Sequence, residues 1–181
     1  MKREVKVVPY NHDWPRLYQL EVVELRKVLG NEIVSTFHIG STAIPGMIAK
    51  PIIDILLEVK SISKIDDYND DMMKLGYDPR GEFGIPRRRY FSKNNINDVR
   101  THHVHAFQSG DIGLERHIAF RDYMIAHPED AREYAQLKLN LARVFPWDID
   151  GYCKGKESYI DDMEKRALLW HRSLKDNVTT S

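Results

Sequence analysis

Residues 38–55 read His38-Ile39-Gly40-Ser41-Thr42-Ala43-Ile44-Pro45-Gly46-Met47-Ile48-Ala49-Lys50-Pro51-Ile52-Ile53-Asp54-Ile55. The order is a strand end, a Gly-Ser turn, a linker punctuated by Pro45-Gly46, and a second apolar strand with a carboxylate inside it. Glycine lets backbone amides approach an anionic oxygen, and serine adds a hydroxyl donor. An acid on an apolar strand is costly unless it meets a metal, a cation or hydrogen-bond donors. Gly40, Ser41 and Asp54 therefore predict a phosphate-and-metal site, with Thr42 beside the turn and Lys50 just before the second strand.

Around this stretch the chain falls into elements. Residues 33–39 form the strand that enters the turn. Residues 52–59 are nearly all apolar, which predicts a central strand covered on both faces. Upstream, 5–8 is a short β-prone run, and a helix opens with Asp13 as N-cap and Pro15 in its first turn. Tyr18, Val22, Leu25 and Leu29 fall at helical spacing, and Gly30 is its expected C-cap. Downstream, a helix over about 65–75 stops at Gly76, and 81–86 is a Gly- and Pro-rich loop. Residues 87–93 and 99–107 flank the turn-forming Asn94-Asn95-Ile96-Asn97-Asp98, the pattern of an antiparallel hairpin. After Ser109-Gly110-Asp111 the pattern turns helical: 112–126, stopped at His127-Pro128, then 129–144, a turn-rich connection over 145–155, and a last helix from 157 to about 174 with a frayed end at 176–181. The expected fold is α/β: a mixed sheet over 1–109 and a block of three helices over 110–181 packed on it as one domain.

With 42% hydrophobic residues the 181-residue chain can build an ordinary core. Its 27 basic and 27 acidic residues balance, which argues against general nucleic-acid binding. A single cysteine, Cys153, excludes an internal disulfide and a cysteine-rich zinc module. No apolar run reaches membrane-spanning length, and the first residues lack the apolar region of a signal peptide. A soluble cytoplasmic protein with no membrane partner is expected.

Alternation puts Ile52, Asp54, Leu56 and Glu58 on one face of the second strand. Carboxylates two residues apart, ~6.6 Å along a strand, can share a pair of metal ions. Here that position is Leu56, and Glu58 lies ~13 Å from Asp54. Other ligands must come from elsewhere. On 100–107, Thr101, His103 and His105 share a face, and His-x-His is a recurrent ligand spacing because both rings project the same way. The pair could equally pack, hydrogen-bond and touch substrate directly. Arg88 is a candidate for the anion, since a guanidinium fork suits phosphate oxygens. A solvated face is the plain alternative for any arginine in the Arg87-Arg88-Arg89 run. His117 and Arg121, four apart on a helix, could close the pocket or join a helix-to-sheet hydrogen-bond network. Lys156, after Gly155 at the expected start of the last helix, would combine a cation with free amides; a surface lysine beside a cap is the alternative. His38 is a candidate pocket wall.

The spacing from Gly40-Ser41 to Asp54 resembles the signature of the nucleotidyltransferase superfold, the DNA polymerase beta-like fold. The stretch His38 to Gly46 with Ala49-Lys50-Pro51-Ile52-Ile53-Asp54-Ile55 is more closely similar to the GrpB family. The likeness continues in Arg88-Arg89-Tyr90-Phe91, in Arg100 to His105, in His117 to Tyr123, in Tyr134-Ala135-Gln136-Leu137-Lys138 and in Gly155 to Ile160. The resemblance implies a nucleotidyltransferase-like core with a helical C-terminal part. It implies no settled reaction. In the superfold a second carboxylate stands where this chain has Leu56, and a third sits on a neighbouring strand, a place His103 or His105 could take.

Three functions are open at this point. One is a nucleotidyltransferase-like enzyme that binds a nucleotide or other phosphorylated small molecule with a divalent metal. Gly40 and Ser41 would hold the terminal phosphates, Asp54 the metal, and Arg88, Arg121 or Lys156 the remaining charge. Another is a non-catalytic nucleotide-binding module that has lost its second carboxylate. The third is a metal-dependent hydrolase using Asp54, His103 and His105. The ion would be Mg²⁺ or Mn²⁺, or Zn²⁺ if the histidines are ligands.

Overall fold

The structure, a computed structural model, describes residues 4–179. Helix α1 (Trp14–Leu29) buries Trp14, Tyr18, Val22, Leu25 and Leu29 along one side. Asp13 stands at the N-cap position and Pro15 in the first turn, as expected, but the Asp13 side chain makes no cap bond. Instead the Asp13 backbone N–H donates to Asn11 Oδ1 at 2.9 Å. Gly30 follows the helix at φ 53°, and its N–H returns to the Arg26 carbonyl.

Strands β1 (Ile33–Ile39), β2 (Ile53–Val59), β3 (Tyr77–Pro79), β4 (Arg89–Asn94) and β5 (Arg100–Gln108) form one sheet in the order β1-β2-β5-β4-β3. β2 runs antiparallel to β1 and parallel to β5, and β4 is antiparallel to both β3 and β5. The sheet is mixed and the 89–108 hairpin is present. β3 carries no signal of its own in three residues, and its pairing with β4 makes it a strand. The expected 5–8 strand is only a single bridge between Val8 and Ala49. The helix expected over 65–75 is a 3₁₀ segment, Ser63–Tyr68, that runs into α2 (Asn69–Lys74).

The sheet has two covered faces. Ile53, Ile55, Leu57 and Val59 of β2 join Phe91, Val104, Ala106 and the buried side of α1 in one apolar cluster. On the other face Leu56 packs with Ile39, Phe107 and Leu114, under α3 (Ile112–Ala126). Asp54, His103 and His105 belong to this second face. A further cluster ties α3 to α4 (Pro128–Val144) and α5 (Ile149–Thr179) through Ala119, Tyr123, Tyr134, Met163 and Ala167.

The last helix begins eight residues before the expected start and runs on through Thr179, so of the frayed end expected at 176–181 residues 176–179 are helical and 180–181 lie outside the described residues. Gly151 and Gly155 look like breakers but have a packing role. A Cβ at Gly155 would stand 2.5 Å from Leu141 Cδ2 on α4, so the bare backbone permits close approach of the two helices. Asp148 Oδ1 accepts from the Gly151 N–H at 3.0 Å and satisfies the new N-terminus. Lys156 therefore lies inside a helix and has no free amides beside it. No helix among the described residues is long and apolar enough to cross a membrane.

Candidate metal and phosphate site

Gly40 turns the chain at φ 69° and ψ −172°, and Ser41–Ala43 follow as one 3₁₀ turn. The turn sits directly over Asp54. A Cβ on Gly40 would lie 2.6 Å from Asp54 Oδ2, so only glycine fits both the dihedral and the space. Thr42, fully buried, is spent on the fold: its hydroxyl donates to the Ile52 carbonyl at 3.3 Å and meets His38 Nε2 at 2.9 Å. His38 also stacks on Tyr18, with centroids 4.9 Å apart, and burial pushes its pKa down to about 4.

The parallel pairing of β2 with β5 places His103 beside Asp54 and His105 beside Leu56. His103 Nδ1 lies 2.9 Å and His105 Nε2 3.6 Å from Asp54 Oδ1. One ligand atom from each of the three residues lies within 4.8 Å of the others. Metal–ligand bonds of about 2.0–2.1 Å put neighbouring donors roughly 2.8–3.4 Å apart in octahedral or tetrahedral sites. A carboxylate and two imidazoles are a donor set for a first-row divalent ion, and the 2.9 and 3.6 Å contacts to Asp54 lie close to that spacing. Burial would raise the Asp54 pKa, but the hydrogen bonds from His103 and His105 outweigh it and hold the carboxyl well below the usual range. Burial pushes His105 down, toward the neutral imidazole that a metal needs.

Arg88 is buried behind the triad and outside the cavity. It donates to the Phe83 carbonyl at 2.7 Å and to the Glu82 carbonyl at 3.2 Å, and it approaches His105 Nδ1 at 3.4 Å. A guanidinium only donates, so this contact leaves the His105 proton on Nε2, aimed at Asp54. Ligation through Nε2 would move that proton to Nδ1 and displace the longest of the three Arg88 contacts. Arg121 is likewise occupied: it binds Asp122 at 2.7 Å and the His38 carbonyl at 3.0 Å. His117 stands behind His105 with centroids 5.3 Å apart, and its Nδ1 donates to the Gly113 carbonyl at 2.7 Å. Burial pushes the His117 pKa down to about 3.

Asp54 and His103 open onto a cavity of about 240 Å³. Gly40, Ser41, Thr42 and Lys50 line it from the β1–β2 connection, and Tyr134, Lys138, Tyr152 and Lys156 from α4 and α5. Lys138 is 2% exposed, donates to Ser41 Oγ at 2.9 Å and also bonds the Ile48 carbonyl. Burial pushes its pKa down to about 7, and the charges of Lys156 and Lys50 add to the effect. Burial lowers Lys156 as well. Of the expected site residues, Gly40, Ser41, Thr42, Lys50, Asp54, His103 and Lys156 meet at the cavity, His105 sits one layer beneath, and Arg88 and Arg121 do not reach it. Tyr134, Lys138 and Tyr152 were not anticipated as site residues. Their signal was present as a repeated spacing, since Tyr134 precedes Lys138 by four and Tyr152 precedes Lys156 by four, one helical turn in each case.

A family model described as GrpB protein matches residues 4–166 of the chain. The chain belongs to the GrpB family. It is 46% identical over 171 residues to UPF0157 protein YqkA of Bacillus subtilis, which covers 94% of this chain and 49% of YqkA, so the chain spans about half the length of that relative. It is 34% identical over 165 residues to Glutamate-rich protein GrpB of Alkalihalophilus pseudofirmus, covering 90% of this chain and 95% of that protein. The crystal structure of conserved protein GrpB from Enterococcus faecalis aligns with a TM-score of 0.87 at 38% identity, over 92% of this chain and 99% of that one. The mixed sheet with its C-terminal helices is therefore the fold of a solved GrpB protein.

Proposed function

We propose that this GrpB protein binds a phosphorylated small molecule, a nucleotide in the leading case, in the cavity beside Asp54, and acts on its phosphate with one divalent metal ion. The observation that carries this is convergence. A Gly-Ser turn, three lysines and, of the Asp-His-His cluster, Asp54 and His103 face one small cavity, with His105 directly behind them. Gly40 and Ser41 would present backbone and hydroxyl donors to phosphate oxygens, and Lys138 and Lys156 would neutralise their charge. Asp54 and His103, joined by His105, would hold the metal, which supplies a Lewis acid for a phosphoryl oxygen. The spacing shared with the nucleotidyltransferase superfold favours transfer of a nucleotidyl group. The sheet region 1–109 and the helical region 110–181 both line the cavity, which supports their acting as one unit. We place that unit in the cytoplasm.

Leu56 favours a second reading, a one-metal hydrolase with water as acceptor. It is fully buried with Ile39, Phe107 and Leu114, so β2 offers the metal one carboxylate and no partner for a second ion.

The test is a thermal-shift screen of nucleotides with Mg²⁺, Mn²⁺ and Zn²⁺ on the wild type and on Asp54→Ala. Stabilisation that needs metal and ligand together, and that disappears in the variant, supports the proposal. If no nucleotide–metal pair shifts the wild-type melting point, the proposal fails. Release of product from a bound nucleotide, with and without an added acceptor alcohol, separates hydrolysis from transfer.

A further inference from the structure

The cavity has two walls of different chemistry. The sheet wall carries the metal-ligand cluster and the Gly40-Ser41 turn. The helical wall carries two copies of one device, a tyrosine with a lysine four residues later on the same helix. Lys138 Nζ lies over the Tyr134 ring at 4.6 Å, and Lys156 Nζ over the Tyr152 ring at 4.7 Å. Lys50 reaches the Tyr152 ring as well, at 5.4 Å, from the connection that leads into β2. Three ammonium groups thus stand together against one carboxylate, Asp54, in the lining of the cavity.

We infer that the helical wall is a clamp for a chain of two or more linked phosphates, whose organic remainder stays outside the cavity. This rests on the proposed function and narrows its ligand. Size is the first support. The cavity of about 240 Å³ is smaller than the roughly 300 Å³ at which pockets begin to bury drug-sized ligands. A nucleoside triphosphate is itself drug-sized, so this space takes phosphate groups and leaves ribose and base outside. Charge is the second support. With Asp54 counted, a single phosphate dianion balances the three lysines, and a divalent metal at Asp54 leaves two positive charges over. A di- or triphosphate matches them. The third support is the state of the rings. Each tyrosine already has an ammonium over a face, so those faces are taken up by cation–π contact and not left for stacking a base. Contacts to phosphate oxygens carry no base information, so the clamp reads the number of phosphates and not the nucleoside.

Isothermal titration at constant Mn²⁺ with orthophosphate, pyrophosphate, tripolyphosphate, AMP, ATP and UTP tests this. Affinity is expected to rise about tenfold or more from orthophosphate to tripolyphosphate, with ATP, UTP and tripolyphosphate within about threefold of one another. Lys156→Gln should weaken tripolyphosphate by about tenfold and orthophosphate by much less. Lys138→Gln should do the same, but Lys138 also bonds Ser41 and the Ile48 carbonyl. Lys156, packed on a ring, therefore gives the cleaner variant, and melting curves of both establish that they are folded. AMP binding as tightly as ATP would overturn the clamp and leave the proposed function standing. So would ATP binding more than about tenfold tighter than tripolyphosphate, since that means a base is read. If none of the phosphate compounds binds, the clamp and the proposed function both fall.

Discussion

Gly40 and Lys138 are the two residues on which the site depends most directly. Gly40 combines a positive φ with contact against Asp54 Oδ2, whereas Gly46 has φ 77° and open space around its Cβ position. Both glycine-to-alanine changes bear the left-handed strain of about 1–2 kcal/mol. Only Gly40→Ala must also push Asp54 aside, so it should lose stability beyond Gly46→Ala in urea denaturation and lose metal-dependent ligand stabilisation, which Gly46→Ala keeps. Lys138 makes a prediction about pH. Its folded pKa, near 7, lies below the unfolded value of about 10.4. Between these limits the unfolded chain holds a proton that the folded chain has released. Stability attributable to Lys138 must then rise with pH, by at most about 1.4 kcal/mol per pH unit. Its cost is fully present below pH 7. Wild type compared with Lys138→Met by denaturant melts from pH 7 to 10 should show the wild type gaining relative stability as pH rises. A flat difference would mean that Lys138 stays charged in the folded protein.

At the scale of elements, the site depends on how closely helices approach the sheet. Gly113, in the first turn of α3, lies against the buried Phe107 ring of β5, and a Cβ there would stand 2.4 Å from Phe107 Cε1. Alanine is the better helix former by up to about 1 kcal/mol, but overpacking a fixed core ring costs about 1–3 kcal/mol. Gly113→Ala is therefore expected to destabilise, read as a lower denaturation midpoint with unchanged slope. The same logic explains the long last helix. Gly155 packs against Leu141 of α4 and Gly151 against Phe145 and Asp148 in the connection, so the turn-rich composition of 145–155 does not end in a helix start at 157, and Lys156 lies within the helix.

For the molecule as a whole, the cavity is shared between a sheet built early in the sequence and helices built late. A metal bound at Asp54, His103 and His105 would cross-link β2 and β5 in the native state only. Zn²⁺ or Mn²⁺ at about a hundred times its dissociation constant should add ~2.7 kcal/mol to unfolding stability. Chemical denaturation should show this gain in the wild type, its reversal by a chelator and its absence in Asp54→Asn. Equal gains in wild type and variant would place the ion elsewhere.

Some of this was legible in the chain itself. The period of two along 53–59 and 100–107 puts Asp54 on one face of its strand and His103 with His105 on one face of theirs, whatever surrounds them. The turn chemistry of Gly40-Ser41 and the apolar stripe of α1 are equally local, because each is set by dihedral preferences and by residues within a few positions. Other features were not. That His103 lies opposite Asp54 depends on the β2–β5 register, a pairing between segments 49 residues apart. That Arg88 turns to the Glu82 and Phe83 carbonyls, and not to the anion site, depends on a loop folding back over it. The resemblance to the GrpB family pointed to the right fold but could not show which cations reach the cavity. Lys138 and Lys156 arrive there because α4 and α5 pack closely at Gly155, a long-range contact that no local periodicity encodes. The sequence alone determined the faces and the turn. The tertiary structure decided which faces meet, because register and helix docking are settled by packing between distant segments.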